Sequence, residues 1–302
     1  MPPGHPECPE RYRSIVEALK DLDLTWDQAE APIAEREHLS LSHNESFINM
    51  VFDTIKGSDG LVAFDPDTWS SASGLEAALR AVGGACLAVD RVINGENVTA
   101  FSLMRPPGHH AEREKAMGFC LFSTAAIAAR HAQKSWDIER VAIVDFDVHH
   151  GNGTQDCCWN HQNLFYASSH QMPLFPGTGA SSEKGGHENI FNLPFPENSG
   201  GDKIIEGWEK NLLPLIEEAK PDLIIISAGF DAHRLDPLGG LNMETSDFGR
   251  LTKSIVNSAK KIERKTGRTK IISLLEGGYN LDVLGASVVE HLNALSKALG
   301  EC

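Results

Sequence analysis

The fold of this chain is decided by the stretch RVAIVDFDVHHGNG at residues 140–153. Its first half is a short run of β-branched and other apolar residues, which is typical of a strand covered on both faces. The run ends in acidic residues, histidine and glycine. Asp145, Asp147 and His149 fall at every second position, so in extended geometry they project to one side, where they would hold a divalent metal ion.

Strand-like and helix-like patterns alternate along most of the chain around this stretch. The predicted strands are 99–104, 140–146, 163–169, 222–228 and 270–276, and the predicted helices between and after them are 119–134, 202–219, 246–265 and 281–299. Before them we expect helices in residues 9–22, 44–57 and 74–93, and a loop at 59–73. Alternation with continuous apolar strands predicts an α/β fold, a mostly parallel sheet with helices on both faces. Without a linker or repeat, residues 1–302 are predicted to form one domain.

Polar groups or glycine runs follow every one of these predicted strands. The loops read RPPGHHAEREKAMGFC, DVHHGNG, SHQMPLFPGTG, GFDAHRLDPLGG and GGYN. In parallel sheets, ligands bind beyond the carboxyl ends of the strands, where such loops meet. Their convergence indicates a functional site at that edge.

The residue types in these loops favour a catalytic zinc site. Such a site takes three protein ligands and leaves a position open for water, and Asp147, His149 and Asp231 would supply the three. Two carboxylates and a neutral imidazole balance the charge of Zn²⁺. Hydrolysis is the natural chemistry of a water activated in this way.

Three further side chains are expected beside the metal. The tandem His109-His110 would transfer protons, with Asp145 and Asn152 orienting the two rings. Tyr279, in a glycine-rich turn, would donate its phenol proton to a carbonyl oxygen and stabilise an oxyanion.

Composition restricts the function further. The net charge of −15 argues against a nucleic-acid-binding surface and would suit a cationic partner. No apolar run is long enough to span a membrane, and the N-terminus lacks the features of a secretory signal. Because the six cysteines are scattered without a Cys-x-x-Cys pair, we expect free thiols and a cytoplasmic protein.

Six motifs, in order, resemble the zinc-dependent histone deacetylase family. They are RPPGHHA (105–111), MGFC (117–120), DFDVHHGNGT (145–154), FPGTG (175–179), GFDAHRLDPLGG (229–240) and LEGGYN (275–280). The form that these motifs take in this chain is more similar to class II and bacterial deacetylase-like amidohydrolases than to class I members. The resemblance implies an arginase-like domain around an eight-stranded parallel sheet. Family members have a strand before the PGHPE segment near the start of this chain, so we expect that strand to be missing or replaced.

The resemblance also implies roles for individual residues. Asp147, His149 and Asp231 match ligands of one zinc ion, His110 the general base and then acid, and His109 its electrostatic partner. The remaining catalytic positions are Tyr279, which polarises the amide, Asp145 behind His109, and Asn152, which stands where class I members have aspartate and would make His110 less basic.

Substrate-contacting positions carry over in the same way. Gly118, Phe119 and Phe175 match the walls of a tunnel for the methylenes of an acyl-lysine, and Leu238 matches the gate. Leucine at the gate favours acyl-lysine over acetylpolyamine, since polyamine-selective relatives have glutamate there. The rim aspartate that clamps substrate corresponds to Asp65 or Asp67. The weaker matches are Arg11 at an acetate exit and a structural potassium site at Ser168 with the backbone carbonyls of Asp145, Asp147 and His149.

The predicted function is therefore zinc-dependent removal of acetyl or other acyl groups from lysine in proteins or peptides. Alternatives are an acetylpolyamine amidohydrolase, a ureohydrolase-like enzyme with two manganese ions, and a non-catalytic acyl-lysine-binding scaffold. Asn152 is a poor manganese ligand, and the intact ligand set argues against a scaffold. The sequence leaves the oligomeric state open, and His150, His170, His187 and His233 are assigned to structural roles.

Overall fold

The computed structural model of the chain describes residues 1–22, 24, 26–264 and 267–300, with residues 263–264, 267–268 and 298–300 described by backbone only. The helices are α1 (Pro9–Leu19), α2 (Arg36–Leu39), α3 (Glu45–Lys56), α4 (Ala72–Ile93), α5 (Thr124–Ser135), α6 (Asn152–Cys158), α7 (Gly201–Gly207), α8 (Leu213–Ala219), α9 (Thr245–Lys261) and α10 (Leu281–Gly300), and a π-helical turn (Trp208–Leu212) joins α7 to α8. The strands are β1 (Val62–Ala63), β2 (Trp69–Ser70), β3 (Thr99–Ser102), β4 (Val141–Asp145), β5 (Leu164–Gln171), β6 (Ile190–Phe195), β7 (Leu223–Ala228), β8 (Glu263–Arg264), β9 (Gly267–Arg268) and β10 (Lys270–Leu275).

A parallel sheet forms the centre of the molecule. Its strand order is β3-β10-β7-β4-β5-β6, and every pairing in it is parallel. Alternate residues of β4 face opposite layers: Val141 and Ile143 belong to a buried cluster with α4 and α5, and Ala142 and Val144 to one with α9 and α10. Burial on both faces explains why β4 is apolar at consecutive positions. The predicted α/β architecture is confirmed.

The strand count differs from the expected eight. Within the described residues the parallel sheet has six strands, and β1-β2 and β8-β9 are separate two-stranded antiparallel pairs. The predicted loop at 59–73 holds the first of these pairs. The sequence pattern missed β6, which contains Asn192 and Pro194. Because β5 is the one partner of β6 among the described strands and β6 forms an edge, a proline is tolerated there.

The helix predicted at 119–134 begins later, at Thr124. Gly118 and Phe119 have φ angles of 56° and 71°, which a right-handed helix excludes. Reciprocal backbone hydrogen bonds between Met117 and Cys120 close this tight turn. The turn, and not a helix, therefore presents the MGFC segment.

The longest helix, α4, has the length and apolar composition that could also cross a membrane. Half of that apolar window is buried inside the protein, and residues such as Ala85, Val89 and Val92 belong to the core cluster shared with α5 and the sheet. Burial of this kind is typical of the core helix of a globular protein.

Candidate metal centre and active site

The loops after β4 and β7 meet where the winding of the sheet reverses. From β4 the chain adds β5 and β6 on one side, and later β7 on the other. Such a switch point opens a crevice at the carboxyl ends of the strands. Asp147 and His149 follow β4 and Asp231 follows β7, and one ligand atom from each lies within 4.8 Å of the others.

Backbone amides hold the two carboxylates in this crevice. Asp147 Oδ2 accepts from the N–H of Gly277 (2.8 Å), and Asp231 Oδ1 accepts from the N–H of Val148 (2.8 Å). A Cβ at Gly277 would lie 2.0 Å from Asp231 Oδ2, so only glycine lets this backbone approach. Asp231 Oδ2 is buried and accepts no hydrogen bond from the described residues. This oxygen is thus available to a metal.

The three side chains fit a divalent cation. His149 Nδ1 lies 3.1 Å from Asp147 Oδ1 and 3.2 Å from Asp231 Oδ2, which brings the three donors together around one point. Burial, reinforced by the negative charge of Asp147, raises the pKa of Asp231 to about 7. Two buried carboxylates repel each other, and a cation between them removes that cost. Two oxygen donors and one imidazole suit zinc.

Asp145 does not join the other two as a ligand on the same side of the strand. Its Oδ2 accepts from Nδ1 of His109 (3.0 Å) and from the hydroxyl of Tyr166 (3.0 Å), and its Oδ1 accepts from the N–H of Asp147 (3.1 Å). Asp145 therefore lies behind His109, as the motifs imply, and not beside Asp147 and His149 as a third ligand from one strand end. Asp145 orients the histidine behind the metal centre, and the third candidate ligand comes from β7.

The rings of the tandem histidines lie side by side, with centroids 4.0 Å apart and their planes tilted by 45°. Burial lowers the pKa of His109, but the charges of Asp147 and Asp145 outweigh it and raise the pKa well above the usual value. Burial, together with positive charge on His109 and His149, lowers the pKa of His110. One ring is thus charged and the other neutral, so they differ in the role each can play.

Asn152 fixes the tautomer of His110. Its Nδ2 donates to Glu112 Oε1 (2.6 Å), which leaves Oδ1 to accept from His110 Nδ1 (2.8 Å). The proton of the neutral ring is therefore on Nδ1, and Nε2 keeps its lone pair. A ring nitrogen in this state can accept a proton.

Tyr279 comes from the turn after β10. Gly278 has a φ of 119°, and the backbone N–H of Tyr279 donates to Asp236 Oδ2 (2.6 Å). Burial raises the pKa of the phenol well above its usual value, so it stays protonated at neutral pH and can donate a hydrogen bond. The Arg11 guanidinium lies 4.8 Å from the ring centroid, and the Phe119 ring packs against it edge to face at 5.6 Å.

Arg11 ties the N-terminal segment to this turn. It is fully buried and donates from Nε to the carbonyl of Gly278 (2.6 Å) and from Nη2 to the carbonyl of Glu276 (2.5 Å). Its charge faces the buried carboxylate of Glu7, which also pairs with Arg105. Arg11 therefore holds the backbone that carries Tyr279, and its place at an acetate exit stays a prediction.

Aromatic rings line the approach to the centre. Phe175 lies 5.0 Å from the His110 ring and 6.3 Å from the His149 ring, between centroids, and Phe119 contacts Tyr279. A Cβ on Gly118 would lie 2.4 Å from the His110 ring, so glycine is required for this approach. Leu238, half-buried, lies on the loop after β7 with its N–H bonded to Asp236 Oδ1 (3.0 Å).

The two rim aspartates lie in the turn between β1 and β2. Asp65 is half-buried, and its Oδ1 accepts from the backbone N–H groups of Asp67 (2.8 Å) and Thr68 (2.5 Å). Asp67 is exposed. Asp65 thus shapes the turn, and which aspartate contacts substrate stays a prediction.

The predicted potassium site gains no support from the geometry. The Ser168 hydroxyl is hydrogen-bonded to His170 Nδ1 (2.9 Å). His170 Nε2 in turn donates to the carbonyl of Gly179 (2.9 Å), and His150 contacts Thr178 Oγ1 at 2.7 Å. These two histidines join β5 and the loop after β4 to the FPGTG loop.

Sequence reasoning missed three buried residues around the centre. Glu276 Oε2 accepts from the N–H groups of Gly108 (2.7 Å) and His109 (3.2 Å), and Asp236 holds the Tyr279 turn. Tyr166 bridges Asp145 and the N–H of Gly151 (3.0 Å). Glu276 directly follows β10 in the LEGGYN motif, where an acid at a buried strand end was a usable signal, and Asp236 lies in the loop after β7, inside the GFDAHRLDPLGG motif. Tyr166 lies within an apolar strand, where the sequence pattern gave no signal of a functional role.

The sequence and structure are similar to known deacetylases. Residues 5–295 match the histone deacetylase domain family. Histone deacetylase 14, chloroplastic, of Arabidopsis thaliana is 37% identical over 318 residues, which cover 99% of this chain and 74% of that protein. The histone deacetylase-like amidohydrolase of Pseudomonas aeruginosa is 32% identical over 305 residues, covering 98% and 79%.

A solved structure agrees with these relatives. The crystal structure of the HDA15 HD domain matches with a TM-score of 0.89 and 33% identity, over 98% of this chain and 83% of that one. Its likeness confirms the arginase/deacetylase fold expected from the motifs. On the match across residues 5–295 and on these relatives, the chain belongs to the histone deacetylase domain family of hydrolases.

Proposed function

We propose that the protein is a zinc-dependent deacylase that removes acetyl or other acyl groups from lysine side chains. The observation that carries the proposal is the cluster of Asp147, His149 and Asp231 beside a histidine pair with unequal pKa values. This arrangement joins a cation site to a proton acceptor. Family membership supports hydrolysis of an amide.

Each group has a distinct role in this reaction. A zinc ion held by Asp147, His149 and Asp231 would supply a Lewis acid and lower the pKa of a water ligand. His110 takes the proton of the attacking water at Nε2 and returns it to the leaving lysine amine. His109, held by Asp145, carries the positive charge beside it. The Tyr279 phenol donates to the amide oxygen as negative charge develops there.

The walls of the site support a lysine-like substrate. The Phe119 and Phe175 rings present apolar surface, which suits the methylenes of an acyl-lysine better than a polar chain. Leu238 places an uncharged side chain at the gate, which disfavours a second ammonium group. The net charge of −15 suits a basic peptide around the modified lysine. We therefore favour acyl-lysine proteins or peptides over acetylpolyamines.

The test measures hydrolysis of acetyl-lysine peptides, longer acyl-lysine peptides and acetylpolyamines by the zinc-loaded protein. We expect release of acetate from the peptides, loss of activity with a chelator and recovery with zinc. His110→Gln should lower kcat by about 10²- to 10⁴-fold with zinc content unchanged, as for loss of a general base. The matched control is His187→Gln, at an exposed histidine.

Two outcomes would contradict the proposal. Faster cleavage of acetylpolyamines would favour the polyamine alternative. Binding of acyl-lysine peptide by the zinc-loaded protein without any cleavage would favour a scaffold.

We also propose a reducing compartment such as the cytoplasm, because the cysteines in the described part of the chain are free. Cys302 lies outside the described residues.

A further inference from the structure

A second group of metal-binding side chains lies among helices α2, α4 and α5. His38, Cys86 and His131 come one from each helix, and one ligand atom of each lies within 4.8 Å of the others. Cys86 and His131 are buried and His38 is half-buried. The group shares no residue with the catalytic centre.

We propose that His38, Cys86 and His131 form a second metal site, for zinc or a cation of similar preference. Two imidazoles and one thiolate are the donor types that zinc selects, whereas calcium and magnesium require oxygen. The donors come from three separate helices, which a bound ion would fasten together. A cluster of this composition is uncommon in a core filled mainly by aliphatic side chains.

An acidic residue supports the histidine of this group. Asp90 lies one helical turn after Cys86, and its Oδ1 accepts from Nε2 of His131 (2.7 Å) and from Nε1 of Trp136 (2.7 Å). Since a carboxylate oxygen is the acceptor, the proton of the His131 ring is on Nε2 and the lone pair is on Nδ1. Among the described residues, His131 Nδ1 makes one long hydrogen bond, 3.4 Å to the hydroxyl of Ser135. A carboxylate behind the ring is the usual partner of a metal-binding histidine.

His38 connects the proposed metal site to solvent, and its short helix α2 would be stabilised by a bound ion. Its half-buried ring lies 5.6 Å from that of His131, between centroids, so the site is open to ions from solvent at this residue. In the structure His38 Nδ1 accepts a 3.2 Å bond from the N–H of Glu35, a weak cap that an ion would replace. Helix α2 has only four residues and gains little stability from its own hydrogen bonds. A metal would anchor it to α4 and α5.

The competing interpretation is a thiol packed between two rings without an ion. Burial, with the charge of Asp90 adding to it, raises the pKa of Cys86 to about 12, so the free group is a thiol. Metal binding must therefore release a proton. The candidate catalytic ligands Asp147, His149 and Asp231 include no sulfur, so thiolate coordination distinguishes the two sites spectroscopically.

The experiment uses cobalt(II) as the probe on the full chain freed of metal. We expect two cobalt ions per chain and a near-ultraviolet thiolate-to-cobalt charge-transfer band. Cys86→Ser should lose that band and one equivalent while its zinc-loaded form keeps deacylase activity. The matched control is Cys157→Ser, which alters another buried cysteine and should keep the band. His38→Gln, at a half-buried position, should weaken the band without unfolding the protein.

A charge-transfer band that is absent from the wild-type protein, or that survives in Cys86→Ser, would overturn the proposal. Asp231→Asn separates this question from the catalytic one. It should lose the cobalt bound at the catalytic centre and keep the thiolate band. The thiolate band therefore tests the second metal site, and the hydrolysis assay tests the proposed deacylase function, independently of each other.

Discussion

Single atoms around the centre determine what each residue can do. The Oδ2 atom of Asp231 is buried without a hydrogen bond from the described residues, while both oxygens of Asp147 are bonded to backbone amides. An unsatisfied buried carboxylate oxygen is costly, and a cation is the partner that best offsets the cost. Asp231 is thus the residue at which the presence of a metal matters most.

Tyr279→Phe tests the phenol. The change removes one donor to the developing oxyanion and leaves the ring in contact with Phe119, so kcat should fall by ~10²-fold or more. Zinc content should not change. Steady-state kinetics and metal analysis measure the two quantities, with Tyr12→Phe at an exposed tyrosine as the control. Unchanged kcat in Tyr279→Phe would remove the phenol from the mechanism.

Glu276→Ala tests the anchor beneath the histidine pair. It leaves the buried N–H groups of Gly108 and His109 without their acceptor, at a cost of about 1–3 kcal/mol in the free energy of unfolding. Urea denaturation measures this cost, and kcat should fall as His109 loses its position. Glu276→Gln keeps a carbonyl acceptor and should lie closer to wild type. Equal stability of the alanine variant and wild type would show that the loop does not depend on Glu276.

At the scale of elements, close approach between segments decides what the sequence pattern alone left open. Helix α4 contains the glycine pair Gly83-Gly84. A Cβ on Gly83 would lie 2.0 Å from the carbonyl oxygen of Pro32. The segment before α2 therefore crosses α4 in direct backbone contact, and the pair does not interrupt the helix.

Gly83→Ala tests this crossing. Alanine favours a helix by about 1 kcal/mol over glycine, but the added methyl group forces the two backbones apart. We expect a net loss of about 1–3 kcal/mol in the free energy of unfolding, measured by urea denaturation. Gly60→Ala is the control, since its Cβ meets nothing within 4 Å among the described residues. If Gly83→Ala were more stable than wild type, the segment before α2 would be able to move away from α4 at little cost in free energy.

At the scale of the whole molecule, a buried histidine joins the C-terminal helix to the rest of the core. His291 of α10 lies 2.6 Å from Thr252 Oγ1 of α9 and 2.8 Å from Ser273 Oγ of β10. Burial lowers its pKa from the usual 6.5 to about 3. The folded protein therefore keeps His291 neutral at pH values where the unfolded chain takes up a proton.

This difference predicts a pH-dependent stability. Above pH 6.5 His291 is neutral in both the folded and the unfolded state, so it does not change the free energy of unfolding with pH. As the pH falls from 6.5 towards 3, the unfolded state binds a proton at His291 that the folded state does not bind, so the folded protein loses stability. At about 1.4 kcal/mol per pKa unit the loss reaches several kcal/mol. Urea denaturation from pH 7 to pH 4 measures it. His291→Gln, which cannot titrate, should lose less stability over this range, and equal slopes would contradict the assignment.

The sequence by itself determined the alternation of strands and helices, the position of β4 and the ordered motifs. These are local properties, because apolar periodicity and residue type depend on neighbours along the chain. The resemblance that the motifs carried named the ligand set and the histidine pair, and the structure brings those residues together. The start of α5 and the edge strand β6 were not predicted, because positive φ angles at Gly118 and Phe119 and a proline at a sheet edge depend on tertiary surroundings.

Only the tertiary structure supplied the physical reason for the way the side chains divide their tasks. Asp145 and Asp147 are two residues apart on one strand end, yet one holds His109 and the other faces Asp231, because β7 lies on one side of β4 and β5, with Tyr166, on the other. The same applies to Glu276 and to the cluster of His38, Cys86 and His131. Their partners are distant in sequence, and only the packing of the helices and strands brings them close together.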